Sequence, residues 1–288
     1  MKRFIALALA LVMIFALAAC AKAPATKADE KYVIINEELG AEEYGIAFRS
    51  DDQETADYIQ TAVYELVKSG KYAEIAANYD DVKDNLKFLA DDFAIPEAKV
   101  DITKAEKRTF TMGIDPEYPP FSYLDDNGDY TGFDVEICRA ACELLGWDFE
   151  IFGVNWDEKL VQLDAKECDC VWAGMTILDS MYEAGYVIAD PYYYNTQVVV
   201  VKESSGITKA ADLEGKTVAV MLGTSGETLL AEDGDLADLS ATFGTLTTCE
   251  SFLKCHTRTI YVVKILLGFL RLFFLLTFSS SFHFFSLV

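Results

Sequence analysis

The stretch from Thr109 to Ala173 most narrows what this chain can fold into, because short β-branched and aromatic runs alternate there with segments of helical spacing. The pattern predicts a strand over Thr109 to Ile114, a hairpin around Asp126-Asn127-Gly128 and a helix over Phe133 to Leu145. A strand over Trp147 to Phe152, a helix over Trp156 to Ala165 and a strand over Cys170 to Ala173 follow. Such alternation makes an α/β sheet covered by helices. Asn-Gly between aromatic arms favours a tight turn with both central residues at positive φ, and Asp134 stands where a cap for the next helix is expected. Asp125, Asn127, Asp129 and Glu136 mimic a calcium loop, but Tyr130 fills the sixth position, where the bend requires glycine. No metal site is read here.

The 288 residues are 52% apolar, enough for one large core or two smaller ones. A formal charge of −23 repels phosphate backbones, so nucleic acid is excluded as a partner and small ligands or proteins remain. At the N-terminus, Lys2 and Arg3 precede an apolar run from Phe4 to Ala19 that ends in Leu17-Ala18-Ala19-Cys20. That is the layout of an export signal, shorter than the roughly 20 apolar residues of a membrane span. Its end resembles the lipobox of bacterial lipoproteins, which implies lipid on Cys20 and attachment to a membrane outside the cytoplasm. An ordinary cleaved signal with a leftover thiol is the alternative. Six further cysteines (138, 142, 168, 170, 249 and 255) lack zinc-like spacing, and no histidine precedes residue 256. They read as buried, metal-free thiols, with a disulfide between the 138/142 and 168/170 pairs as the alternative.

Between the tether at 21–31 and Thr109, residues 53 to 80 carry apolar positions at helical spacing (Ala56, Ile59, Val63, Leu66), a stop at Ser69-Gly70 and a second short helix. Residues 93–108, with Pro96 and mixed charge, read as a linker.

Three stretches then converge in order and spacing: GIDPEYPPFSYLDDNGDYTGFDVE (113–136), WDEKLVQLDAKECDCVWAGMTI (156–177) and DPYYYNTQVVVVKESSGITKAADLEGKTVAVMLGTSGE (190–227). Together they resemble the family 3 solute-binding proteins of polar amino-acid ABC importers. The resemblance implies an α/β fold of the type II periplasmic-binding-protein class, with a near-complete first lobe at 109–202 and a truncated second lobe at 203–249. It also implies a binding role without a reaction or cofactor, with a small amino-acid-like ligand and an ABC permease as partners.

A free amino acid is a zwitterion, so its site must offer acceptors to an ammonium and donors to a carboxylate. By resemblance, Asp115, Tyr118, Pro120 and Phe121 form one wall and Trp156 the aromatic opposite. The Ala173-Gly174-Met175-Thr176 turn is the backbone clamp, with the Gly174 carbonyl for the ammonium and the N–H and hydroxyl of Thr176 for the carboxylate. Gly223-Thr224-Ser225-Gly226 is the second-lobe loop, where Thr224 and Ser225 open a helix whose unpaired N–H groups favour an anion. Tyr192 to Gln197 begin the crossover, making Val198 to Lys202 the first hinge strand. One departure stands out: where the family's arginine would hold the carboxylate, this chain has Met181.

Residues 32–92, with YGIAFRSDDQETADYIQTAVYELVKSGKYAEIAANY, resemble the C-terminal end of the same family. They either complete a lost upstream module or dock, permuted, onto the lobe begun at Thr109. After Glu250 no acidic residue occurs, and Lys254, Arg258, Lys264 and Arg271 interrupt an aromatic-rich tail. The 250–288 stretch reads as frameshifted or misassembled, with a membrane anchor as the alternative, and the second hinge strand is not found there. Two other functions are weighed. One is a ligand-sensing module of a membrane signalling protein. The other is a cyclic amino-acid dehydratase-like enzyme using Asp115 and Asp134, for which no matched catalytic pair is present.

Overall fold

A computed structural model describes residues 31–249 and the backbone of residues 261–263. The signal stretch and Cys20 lie outside the described residues, as does the rest of the 250–288 tail. The elements run β1 (Tyr32–Phe48), α1 (Gln53–Ser69), α2 (Lys71–Ala76), β2 (Thr109–Ile114), β3 (Glu117–Tyr118), β4 (Ser122–Leu124) and β5 (Tyr130–Thr131). They continue with α3 (Phe133–Leu145), β6 (Asp148–Gly153), α4 (Lys159–Asp164), β7 (Cys170–Thr176), α5 (Asp179–Glu183), β8 (Val187–Ile188) and β9 (Tyr193–Lys202). The second lobe adds β10 (Thr217–Met221), α6 (Ser225–Leu230), α7 (Ala237–Ser240), β11 (Thr245–Cys249) and β12 (Tyr261–Val263). Among the described residues no helix is long and apolar enough to cross a membrane.

One sheet passes through both lobes in the order β11-β10-β12-β9-β1-β7-β2-β6, with β8 on β1. β2 lies parallel to β6 and β7, the arrangement expected when helices connect the strands. β1 settles the placement of the upstream segment. Tyr44 and Gly45 pair antiparallel with Thr176 and Met175 on β7, while the other edge of β1 follows β9 from Tyr44↔Tyr193 to Tyr32↔Lys202. The segment is therefore docked onto the lobe begun at Thr109. Its strand is also longer than the sequence suggests, and it supplies the return strand beside the first crossover. A second strand running beside β9 is thus supplied from upstream. Register shifts around Glu38 mark where β1 passes from one lobe to the other.

The docking is held by apolar burial. Tyr44, Ile46 and Phe48 face the main core, and Ala47 faces a smaller cluster with Met175 and Met181. Alternation across a strand produces that split. α1 buries Ala56, Ile59, Ala62, Val63 and Leu66. It stops at Gly70, whose φ of 80° needs a residue without a Cβ penalty and whose N–H reaches the Val67 carbonyl. Ring contacts carry the segment further into the core: Tyr58 on Trp147, and Tyr72 and Tyr79 edge-on to Phe133. Arg49, nearly buried, donates to the carbonyls of Leu163 and Cys168 and pairs with Asp52 and Asp169. Asp169 in turn pairs with Arg108. The stretch read as a linker also packs, with Phe93, Ile95, Ile102 and Ala105 against the core.

Three local expectations are corrected. Only Gly128 of the Asn-Gly pair has positive φ, because the Asp125 carboxylate accepts from the N–H groups of Asn127 and Asp129 and shapes the turn itself. Asp134 does not cap α3: it lies in the first helical turn with its side chain in the core. Cys249 is disulfide-bonded, whereas Cys138, Cys142, Cys168 and Cys170 are free and buried. Burial pushes the Cys168 thiol up to about 12, far from the thiolate that reactive or metal-binding cysteines need.

Candidate ligand-binding cleft

Where the sheet crosses between the lobes, a cleft encloses about 420 Å³ of space, its solvent-open mouth included. From the first lobe come Asp115, Tyr118, Trp156, Gly174, Met175 and Thr176, and from the second Thr224 and Ser225. Eight of the ten residues anticipated for the site thus meet around one space, although they come from three separated stretches of sequence. Phe121 and Ala173 do not line it. Phe121 is fully buried behind Tyr118, with ring centroids 5.7 Å apart and planes within 16°, and Ala173 is buried in the core. Glu42, Tyr44, Lys159, Leu178 and Gln197, which no motif pointed to, complete the lining together with Met181 and with Gly223 of the expected second-lobe loop.

The first-lobe wall is stiff. The hydroxyls of Tyr44 and Tyr118 are 2.9 Å apart, and Tyr44 stacks on Tyr193 with centroids 5.3 Å apart. Burial raises both phenols well above their ordinary range, so they stay protonated donors. Asp115 is nearly buried, and one carboxylate oxygen accepts from the Glu117 N–H at 2.9 Å. Gly174, at the end of β7, has φ 56°, and a Cβ there would stand 2.5 Å from the Tyr118 ring and 3.1 Å from that of Tyr44. Only glycine fits this place. Its N–H donates to Asp134 at 2.7 Å, and the same carboxylate oxygen accepts the Tyr192 hydroxyl at 2.7 Å. Burial drives the Asp134 carboxyl up to about 7 against the pull of these two donors. The clamp glycine is thus held from behind by the Asp134 carboxyl.

The second-lobe side meets it through short polar contacts. The hydroxyls of Ser225 and Thr176 are 3.2 Å apart, and the Gln197 amide donates to Ser225 at 3.0 Å and to Glu42 at 2.8 Å. Gln197 and Glu42 lie on the paired strands β9 and β1, so the crossing itself brings them to the cleft. The Gln197 Oε1 is buried and accepts no hydrogen bond. The loop Gly223-Thr224-Ser225 is braced by hydrogen bonds of its own. Its Gly223 N–H is taken by the Glu227 carboxylate at 2.7 Å, and the Thr224 hydroxyl donates to the Met221 carbonyl and accepts from the Glu227 N–H. The N–H groups of Gly223 and Glu227 are thus taken within the loop and α6 themselves. Met181 is buried in the lining, and no guanidinium stands at that position. Among the described residues, no group of three or more metal-binding side chains occurs.

Comparison with known proteins places the chain in a family. The profile of the bacterial extracellular solute-binding proteins, family 3, matches residues 110–262, more than half of the chain. The L-cystine-binding protein TcyJ of Escherichia coli (strain K12) is 34% identical over 151 residues, which is 52% of this chain and 54% of TcyJ. The arginine-binding extracellular protein ArtP of Bacillus subtilis (strain 168) is 32% identical over 122 residues, 42% of this chain and 47% of ArtP. The chain spans about half the length of the curated relatives it matches. Among solved structures, an ancestral arginine-binding protein bound to arginine superposes with a TM-score of 0.51 at 26% identity, covering 60% of this chain and 76% of that one.

Proposed function

Since the chain belongs to family 3 of the bacterial extracellular solute-binding proteins, we propose that it is the extracytoplasmic binding subunit of an ABC importer, taking a polar amino acid or a similar small solute. The observation that carries this reading is the cleft itself. Aromatic wall, glycine clamp and hydroxyl pair arrive from both lobes at the point where β1 and β9 cross, and two strands at a crossing are what a hinge between closing lobes requires. The named relatives are amino-acid-binding proteins, which favours binding over catalysis. In this reading the ligand's ammonium meets acceptors at Asp115, Glu42, Gln197 and the Gly174 carbonyl. Its side chain lies between Tyr118 and Trp156, and Thr176, Thr224 and Ser225 face its polar end. Lipid on Cys20 holds the protein to the membrane beside its permease.

Titration calorimetry of the full-length protein with L-arginine, L-histidine, L-cystine and L-glutamine tests the central claim. Saturable binding of one ligand per chain is expected for at least one of them, and a flat response to all four sinks it. The anchor has its own test: acyl labelling with a fatty-acid probe should vanish in Cys20→Ser, and persistent labelling removes the lipid from the account.

A further inference from the structure

Where β1 and β9 cross between the lobes, they set polar side chains in a fixed order on one face of the sheet. Tyr44 stands opposite Tyr193, Glu42 opposite Asn195 and Gly40 opposite Gln197. Residues two apart on a strand share a face, so the stacked rings of Tyr44 and Tyr193 are followed by a carboxylate and two amides. Asn195 Nδ2 and Gln197 Nε2 both donate to Glu42, and both to the same oxygen, Oε1. Its second oxygen, Oε2, takes no hydrogen bond from the described residues, and the nearby cation Lys87 pairs with Glu43 instead. Gln197 is only 3% exposed, and its amide nitrogen also donates to Ser225. A carboxylate can only accept, which fixes the nitrogen end of this amide toward Glu42. Gln197 Oε1 is left as a buried acceptor without a partner, on a side chain that lines the cleft.

The charges of the lining are also unequal. Among the described residues it carries two carboxylates, Asp115 and Glu42, and one ammonium, Lys159, a formal balance of −1 however these groups pair. A neutral zwitterion leaves that charge uncompensated when the lobes close and water withdraws, and a charge in such surroundings is costly without a counterion. A ligand with one more positive than negative charge removes the cost. Resting on the amino-acid reading above, we infer that the cleft selects amino acids with a cationic side chain, and that Glu42 with Gln197 is the specificity-determining pair that meets the extra positive charge. The two amides hold the carboxylate in place before the ligand arrives, Oε2 supplies the charge, and Gln197 Oε1 accepts a further N–H. That set suits a guanidinium or a primary ammonium, each of which donates several times over and accepts nothing. Because both residues sit on the strands that join the lobes, the cation is read at the crossing and not by either lobe alone.

The test separates this assignment from the amino-acid reading. Calorimetry on the full-length protein compares L-arginine with L-citrulline, which has nearly the same shape and no charge on its side chain, and includes L-glutamine as a second neutral amino acid. The wild type should bind arginine about tenfold or more tighter than citrulline. Glu42→Gln keeps an oxygen for both amide donors but removes the charge, and it should reduce that ratio to about twofold or less. Glu42→Asp should retain most of the preference. Gln197→Leu, which takes away the buried acceptor and one anchor of the carboxylate, should lower the ratio about threefold. Melting curves of the variants establish that they fold, and the wild-type ratio is read without any variant. Equal binding of arginine and citrulline by the wild type, an unchanged ratio in Glu42→Gln, or a loss shared equally by both ligands overturns the assignment and leaves the amino-acid reading standing. Failure of every amino acid, L-glutamine included, to bind the wild type overturns both.

Discussion

The two lobes are built from different material. The first is a ring-rich core in which Tyr44, Phe121, Phe133 and Tyr193 interlock at centroid distances between 5.1 and 6.5 Å, tied at its base by Arg49, Asp169 and Arg108. The second buries eight aliphatic residues, Ile35, Val199, Val201, Ile207, Leu213, Val218, Val220 and Leu230, with no ring among them. Their edges differ too. β6 ends the sheet on the first-lobe side with Asp148 and Glu150 exposed, charges that discourage further strand pairing. β11 ends it on the other side, among the described residues, with Thr245, Leu246 and Thr248 exposed and no charge. The comparison teaches that the first lobe holds itself together through the docking of β1 and α1, whereas the second leans on β12.

The most severe way to break the comparison is to remove what completes the first lobe. β1 lies between β9 and β7, so a chain starting at Ala105 loses a central strand together with the helix that covers the sheet. Burial worth roughly 25 cal/mol per Å² of apolar surface is lost, while the closure entropy of the linker, which grows only with the logarithm of its length, is a small return. Such a chain should aggregate or melt far below the full protein, and adding residues 31–100 in trans should partly rescue it. Equal melting temperatures with and without the segment would show that its docking contributes nothing.

A milder break falls on the second lobe. β12 stands between β10 and β9, pairing Val218 to Val220 on one side and Val199 and Val200 on the other, although the tail it comes from looked foreign to either lobe. Truncation after Cys249 should therefore leave first-lobe amides protected while amide exchange at Val218 to Val220 rises by about an order of magnitude or more. Exchange that is unchanged in both lobes would mean that the 250–288 stretch adds nothing to the sheet.

The same contrast explains what the sequence made readable. Thr109 to Thr176 is legible because its strands are buried and its helices one-sided, so both periodicities are sharp; α3 and β2 have the bounds expected of them. β1 is only half legible. Its end, YGIAF, alternates against the core, but Asn36 to Glu43 is polar because the strand is crossing between lobes there, and polar strands read as loops. Glu42 and Gln197 escaped notice for that reason, since they come together through strand register, Glu42 opposite Asn195 and Gly40 opposite Gln197. Phe121 was misjudged because motif spacing cannot tell the ring that lines a cleft from the ring stacked behind it.

The subtlest test concerns how the first lobe holds its glycine clamp, and it is read in pH. Burial raises the Asp134 carboxyl from 3.8 to about 7, so the folded chain keeps that proton in a range where the unfolded chain has released it. Stability rises with pH only where the unfolded state binds more protons; here the folded state binds more, and the sign is negative. The contribution is fully present below about pH 4 and is lost as pH climbs to about 7, a fall of about 4 kcal/mol at 1.36 kcal/mol per unit. Asp134→Asn keeps an oxygen for the Gly174 N–H and the Tyr192 hydroxyl but cannot ionise. Urea unfolding of both proteins at a series of pH values isolates the effect from the other carboxylates: the variant should be the less stable of the two near pH 4 and should gain on the wild type steadily up to pH 7. Ionised Asp134 grips the clamp N–H more strongly than the neutral acid does, so the same titration should tighten the Gly174 turn as it weakens the lobe around it. A stability difference that does not change with pH would mean that Asp134 is charged throughout, and that the second lobe closes on a clamp whose support has no proton to lose.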